Sequence, residues 1–229
     1  MNILDEEAEE LKKAQERVKL NPNDPEAYLN RGDCFFDLDK FENALADYKK
    51  IVELDPNFSD VAEKVQILTD IKNYSEEIKT DPNDEWLYNK RGLAYHRLQK
   101  FRKAIEDFRT AIKLNPKFTE AYLNRGKACS DYYEELNWGH TELYAYFPEN
   151  EPLEDFEKVI ELDPNCVEAY YLRGCAYMDL ENYPQAIKDF AEILKITPDN
   201  AKAYQQLGYC HKALSEKFFA KAAKLGYKE

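Results

Sequence analysis

Three histidines and five cysteines are the side chains best suited to metal or nucleophilic chemistry in this 229-residue chain. His96, His140 and His211 lie far apart in sequence, and none has a ligand or catalytic spacing. Cys34, Cys175 and Cys210 sit beside glycine or small-residue sites and suit a helical core better than a metal centre or a nucleophile. No Ser/His/Asp set, no phosphate-cradling glycine loop and no metal-binding cysteine cluster is present. The expectation is a non-enzyme with no cofactor and no metal. The groups that remain with something to do are ones that pair and recognise. Arg31, Arg91, Arg125 and Arg173 recur with the acids Asp47, Asp107, Asp155 and Asp189, and there are 17 Tyr and 12 Phe. Each arginine has a matching acid, so the columns read first as repeated ion pairs between helices; a ladder of arginines reading an acidic ligand is the alternative.

These columns require repeated elements to hold them. Gly32, Gly92, Gly126, Gly174 and Gly208 are spaced by 60, 34, 48 and 34 residues. Each lies four residues after a tyrosine: Tyr28, Tyr88, Tyr122, Tyr170 and Tyr204. Pro22, Pro56, Pro82, Pro116, Pro164 and Pro198 keep the same register, each closing a helix-like run. Glycine inside a helix costs about 1 kcal/mol against alanine. A glycine column therefore predicts close approach of a partner helix, with a small residue such as Ala44 expected to face it.

With second-helix residues Ala44, Tyr48, Ile51 and Pro56, then Ala104, Phe108, Ala111 and Pro116, then Ala186, Phe190, Ile193 and Pro198, the chain resembles the tetratricopeptide repeat family. The resemblance implies an all-α, right-handed superhelical solenoid of helix-turn-helix units, because each amphipathic pair buries its face only by stacking. It divides 1–229, read as one solenoid, into an N-terminal half-unit (3–24), a repeat (25–58), a degenerate shortened repeat (59–84), a repeat (85–118), a repeat with an insertion at 131–151 (119–166), a repeat (167–200) and a C-terminal capping unit (201–229) with a short second helix around 215–225. Residues 59–84 lack the Tyr, Gly and Arg columns, yet Val61, Val65, Leu68, Ile71, Tyr74 and Ile78 keep a helical period. Two short helices turning near Thr69 and Asp70, or one long helix that splits the chain into two lobes, both fit. The insertion carries six aromatics, and 131–157 holds nine acids and no Lys or Arg. It is either a binding rim or a structural plug. Pro152 suits the first turn of the helix after it.

The family resemblance implies a concave groove lined by first helices. Positions one turn either side of the glycines are then the partner-binding candidates: Trp86, Asn89, Lys90, His96, Asn124, Lys127, Tyr171 and Met178, with Trp138 from the insertion. Trp86 stands where the other units hold Glu26, Glu120, Glu168 and Lys202, which marks it as a candidate anchor. Residues 90–117 carry nine Lys/Arg against two acids, while 23–60 carry ten acids against four bases. An acidic or amphipathic protein or peptide partner is therefore expected. Chaperone C-termini are disfavoured: the family's carboxylate clamp needs Lys and Asn at Asn89 and Leu93, and Lys and Arg at Glu168 and Leu172, leaving only Asn124 in place.

The net charge of −13 argues against nucleic acid and against an anionic membrane surface. No apolar run approaches the ~18 residues of a membrane span. The N-terminus lacks a secretory pattern, and an odd number of unclustered cysteines suits a reducing, cytoplasmic setting. The function expected is a non-catalytic interaction scaffold. The alternatives are a module that self-associates through its acidic aromatic insertion and its cap, and a regulatory subunit of an enzyme.

Overall fold

The computed structural model describes residues 3–137 and 151–225. They form eleven helices, and no strand occurs among them. The chain divides into two compact units, 1–100 and 101–229. The division falls between the two helices of the repeat at 85–118, not at 59–84.

Unit 1 holds α1 (Ile3–Leu20), α2 (Pro25–Asp37), α3 (Phe41–Leu54), α4 (Ser59–Thr80) and α5 (Glu85–Arg97). Asp24 and Asp84 start α2 and α5 by accepting hydrogen bonds from the N–H groups of Glu26 (3.1 Å) and Trp86 (2.8 Å). Pro25 occupies the first turn of α2, where its missing N–H costs nothing. The core joins Ala44, Leu45, Tyr48 and Ile51 of α3 to Val61, Ile67, Leu68 and Ile71 of α4 and Ala94 of α5. Residues 59–80 are thus one 22-residue helix. Neither glycine nor proline interrupts it, and the Thr69 hydroxyl bonds back to the Val65 carbonyl at 2.7 Å instead of breaking the helix.

Unit 2 holds α6 (Phe101–Leu114), α7 (Thr119–Asn137), α8 (Glu151–Leu162), α9 (Val167–Asp179), α10 (Tyr183–Ile196) and α11 (Ala201–Lys224). Pro152 lies in the first turn of α8, as expected. The C-terminal unit departs from expectation: α11 runs unbroken for 24 residues, with no turn before 215–225. Nothing between Ala201 and Lys224 stops a helix, since Gly208 is the lone weak former and alanine and lysine dominate the second half.

The turns between paired helices share one geometry. Asp39, Gln99 and Glu181 adopt φ of 56°, 57° and 53°. The next residue's N–H reaches back five residues, from Lys40 to the Phe35 carbonyl (2.8 Å), Lys100 to Tyr95 (3.0 Å) and Asn182 to Tyr177 (2.7 Å). This is a Schellman ending with a non-glycine residue in the left-handed position.

The glycine column works as close approach, but its partner differs from the one expected. A Cβ on Gly32 would lie 2.8 Å from Tyr48 Cε1, on Gly126 2.6 Å from Phe156 Cε1, and on Gly174 2.8 Å from Phe190 Cε1. The second-helix aromatic, not Ala44, faces the glycine. The tyrosines of the same column close the turns between repeats. The hydroxyls of Tyr28, Tyr88 and Tyr122 donate to the carbonyls of Pro22, Pro82 and Pro116 at 3.1, 3.2 and 3.4 Å.

Candidate partner-binding surface

The arginine and aspartate columns form bidentate pairs. Arg31 donates to both Asp47 carboxylate oxygens at 2.8 and 2.6 Å, Arg125 to Asp155 at 2.9 and 2.6 Å, and Arg173 to Asp189 at 2.9 and 2.7 Å. The three carboxylates are only 5%, 2% and 5% exposed. Each guanidinium also lies 5.4–5.8 Å from the ring centroid of the tyrosine three residues before it. The hydrogen bonds to Asp47 and Asp189 raise the pKa of Arg31 and Arg173. Arginines engaged on both sides in this way are structural, and a ladder reading an acidic ligand through them is not what these three form. Arg91 also donates to the Ser75 hydroxyl of α4, at 3.2 Å.

The cysteines are equally quiet. Burial pushes the thiols of Cys34, Cys175 and Cys210 above their ordinary pKa, which keeps them protonated and poorly nucleophilic. Among the described residues, no group of three or more His, Cys, Asp or Glu could hold a metal ion.

The expected contact residues fall into separate groups. In unit 1, α5 presents Trp86 at 49% exposure, with Lys90 exposed and His96 half-buried. Asn89 on the same helix is only 1% exposed. In unit 2, Asn124 is 8% exposed. Lys127 pairs with Glu168 at 2.7 Å, which joins α7 to α9. Tyr171 lies edge-on to Phe190, its hydroxyl accepts from Gln206 at 3.3 Å, and Met178 packs on the same core. Trp138 and most of the insertion lie outside the described residues.

One surface is not singled out by the sequence reading. On α11, Tyr204, Tyr209, Phe218 and Phe219 are 53–63% exposed. The terminal segment reads as a solvated cap because its lysines dominate the eye; the aromatics between them are the available signal.

Family models described as tetratricopeptide repeat match residues 25–58, 86–118 and 167–200. Human tetratricopeptide repeat protein 16 is 32% identical over 101 residues, which are 44% of this chain and 9% of that protein. Hsp70-Hsp90 organizing protein 3 of Arabidopsis thaliana is 28% identical over 131 residues, 57% of this chain and 19% of that protein. The chain thus spans less than a fifth of either relative. A crystal structure of MamA protein superposes with a TM-score of 0.52 at 21% identity, covering 87% of this chain and 90% of that one; this likeness concerns the fold.

Proposed function

The chain belongs to the tetratricopeptide-repeat family, and we propose that it is a non-catalytic scaffold whose first helices receive a peptide segment or protein surface. Repeats of this kind are interaction modules, and the two relatives carry them within much longer proteins.

Trp86 carries the reading. It is a large aromatic, half exposed, at a first-helix site that other repeats fill with charge. Lys90 and His96 share its helix. Within unit 2, Lys127 and Tyr171 are first-helix candidates of their own. Asn89 and Asn124 contribute by shaping these helices more than by direct contact, since both are buried. The basic bias of 90–117 suits an acidic or amphipathic partner and a salt-sensitive on-rate. A chaperone carboxylate clamp is disfavoured, because Glu168 stands at a clamp lysine site and is engaged by Lys127. Five free cysteines suit a reducing, cytoplasmic compartment.

The test is co-purification from native cells of the wild-type chain and of Trp86→Ala, followed by titration of the partner recovered. Trp86→Ala is expected to cost roughly 2 kcal/mol of affinity while the helical spectrum stays unchanged. Equal affinity in a folded variant would place the site elsewhere.

A further inference from the structure

The first repeat buries a hydroxyl where the others bury none. At the second-helix site that holds Phe108, Phe156 and Phe190 in other repeats, α3 carries Tyr48. Its side chain is fully buried, with the ring against Gly32. The hydroxyl donates to Asp33 Oδ1 of α2 at 2.6 Å. Burial, and then this bond, push the Tyr48 pKa far above its ordinary value, so the hydroxyl stays a donor. Packing does not require that bond, since phenylalanine is fully buried at the same site in the other repeats. What the bond fixes is the Asp33 carboxylate.

Asp33 is itself out of pattern. The residue after the glycine is Leu93, Lys127, Cys175 or Tyr209 in the other units. Lys64 of α4 approaches the same oxygen, Oδ1, at 3.3 Å, with its ammonium 5.7 and 5.3 Å from the Phe36 and Tyr48 ring centroids. Both bonds therefore fall on Oδ1 and leave Oδ2 to face outward, on a carboxylate that keeps 44% of its surface. The surroundings are acidic. Glu26, Asn30, Asp33 and Asp37 recur at helical spacing and line one side of α2. Glu26, Asn30 and Asp37 are exposed. The nearby Cys34 thiol registers the field: after burial, the charges of Glu10, Asp37 and Asp33 push its pKa further up.

We infer that this side of α2 is a docking face for a basic segment of a partner protein, which sets an arginine against Asp33 Oδ2 between Glu26 and Asp37. Tyr48 is a positioning residue: it holds the carboxylate in one pose and touches no partner itself. The face has the opposite charge to the stretch 90–117. The inference therefore goes beyond the reading built on Trp86 and does not depend on it.

The probe is a fluorescein-labelled peptide that alternates arginine with glycine, compared with the same peptide carrying neutral citrulline for arginine. Fluorescence anisotropy with the full chain should show saturable binding of the arginine peptide that weakens as salt rises, and none of the citrulline peptide. Asp33→Asn keeps an acceptor for Tyr48 but removes the charge, and should weaken binding by at least about tenfold. Asp199→Asn removes the same charge from an exposed site in unit 2 and should change nothing. Tyr48→Phe alters no charge and installs the residue that other repeats carry. It should weaken binding about threefold, because the carboxylate must then be ordered on binding, while the helical spectrum stays the same. Lys64→Ala removes the neighbouring cation and should tighten binding. Bulk attraction to an acidic chain would respond alike to Asp33→Asn and Asp199→Asn and ignore Tyr48→Phe; that result overturns the inference. Should Tyr48→Phe unfold, the contrast between Asp33→Asn and Asp199→Asn decides alone. No binding, equal binding of the citrulline peptide, or weaker binding by Lys64→Ala overturns it as well. Loss of binding in Trp86→Ala would assign the peptide to α5 and overturn it too.

Discussion

The pair α9–α10 and the lone helix α11 begin from nearly the same residues. Both α9 and α11 have a fully buried alanine as their third residue, a tyrosine directly after it, and a glycine four residues later. In the first, Phe190 of α10 sits over Gly174, and Asp189 receives the Arg173 guanidinium. In the second, Gly208 meets nothing among the described residues, and leucine replaces the arginine. Local pattern therefore fixes the type of helix, while burial depends on whether a partner returns to cover it. Glycine is repaid only where a ring comes close; elsewhere it is a weak point in a helix.

Breaking the ion pair should have the largest effect. Arg173→Met leaves the Asp189 carboxylate buried without its cation and should cost about 3–5 kcal/mol, whereas Arg173→Met with Asp189→Leu should recover most of that. Urea denaturation of the single and double variants measures the recovery, and a double variant as unstable as the single would remove the pair from the comparison.

Next come the glycines. Gly174→Ala pushes a methyl to 2.8 Å from two carbons of the buried Phe190 ring, and should cost about 1–3 kcal/mol by overpacking. Gly208→Ala meets nothing among the described residues and should gain up to about 1 kcal/mol from helix propensity. Thermal melts that move the same way for both substitutions would erase the distinction between covered and open glycine.

The smallest effect concerns Asp179, the last residue of α9. Its carboxyl is pushed above the ordinary aspartate pKa because neighbouring protein atoms displace part of its water, although the residue keeps an exposed surface, which keeps the effect small. A raised folded-state value means that the ionised form is disfavoured by folding. The cost is absent below the unfolded-state pKa and grows as pH rises through the folded one. Asp179→Asn should therefore raise the melting temperature slightly at pH 7, and the gain should fade on acidification. A gain that persists at low pH would point to a cause other than ionisation.

Much of the fold is legible because glycine, tyrosine and proline are each tied to one physical task. The tyrosine and proline columns share a register because Tyr28, Tyr88 and Tyr122 donate to the carbonyls of Pro22, Pro82 and Pro116. At 59–84, where those columns lapse, one long helix and two short ones both fit, and at 201–225 a short second helix is expected; continuous helix wins at both α4 and α11 because neither contains a residue that forces a stop. Ala44 is not the partner of glycine, although volume matching favours small against small. A flat ring edge approaches a glycine as closely as a methyl does, and it buries far more surface. The candidate contacts are only half legible. Helical phase places Trp86 and Asn89 on one helix, but which of them keeps its surface depends on neighbours distant in sequence: Trp86 stays half exposed and Asn89 is almost fully covered.

The tyrosine bonds to the proline carbonyls have a mechanical consequence. Each closes a short loop, from a residue to the one six positions before it, at the joint between successive repeats. A joint tied in this way resists opening, because opening the turn stretches the same short bond. Force that opens such a turn is shared between the hydroxyl and the backbone bonds of the turn, such as Asp24 N–H to the Asn21 carbonyl at 3.2 Å and Phe118 N–H to the Asn115 carbonyl at 3.0 Å. Tyr88→Phe would keep the ring and remove the latch, leaving a turn held by its backbone bonds, such as Asp81 N–H to the Glu77 carbonyl at 2.8 Å.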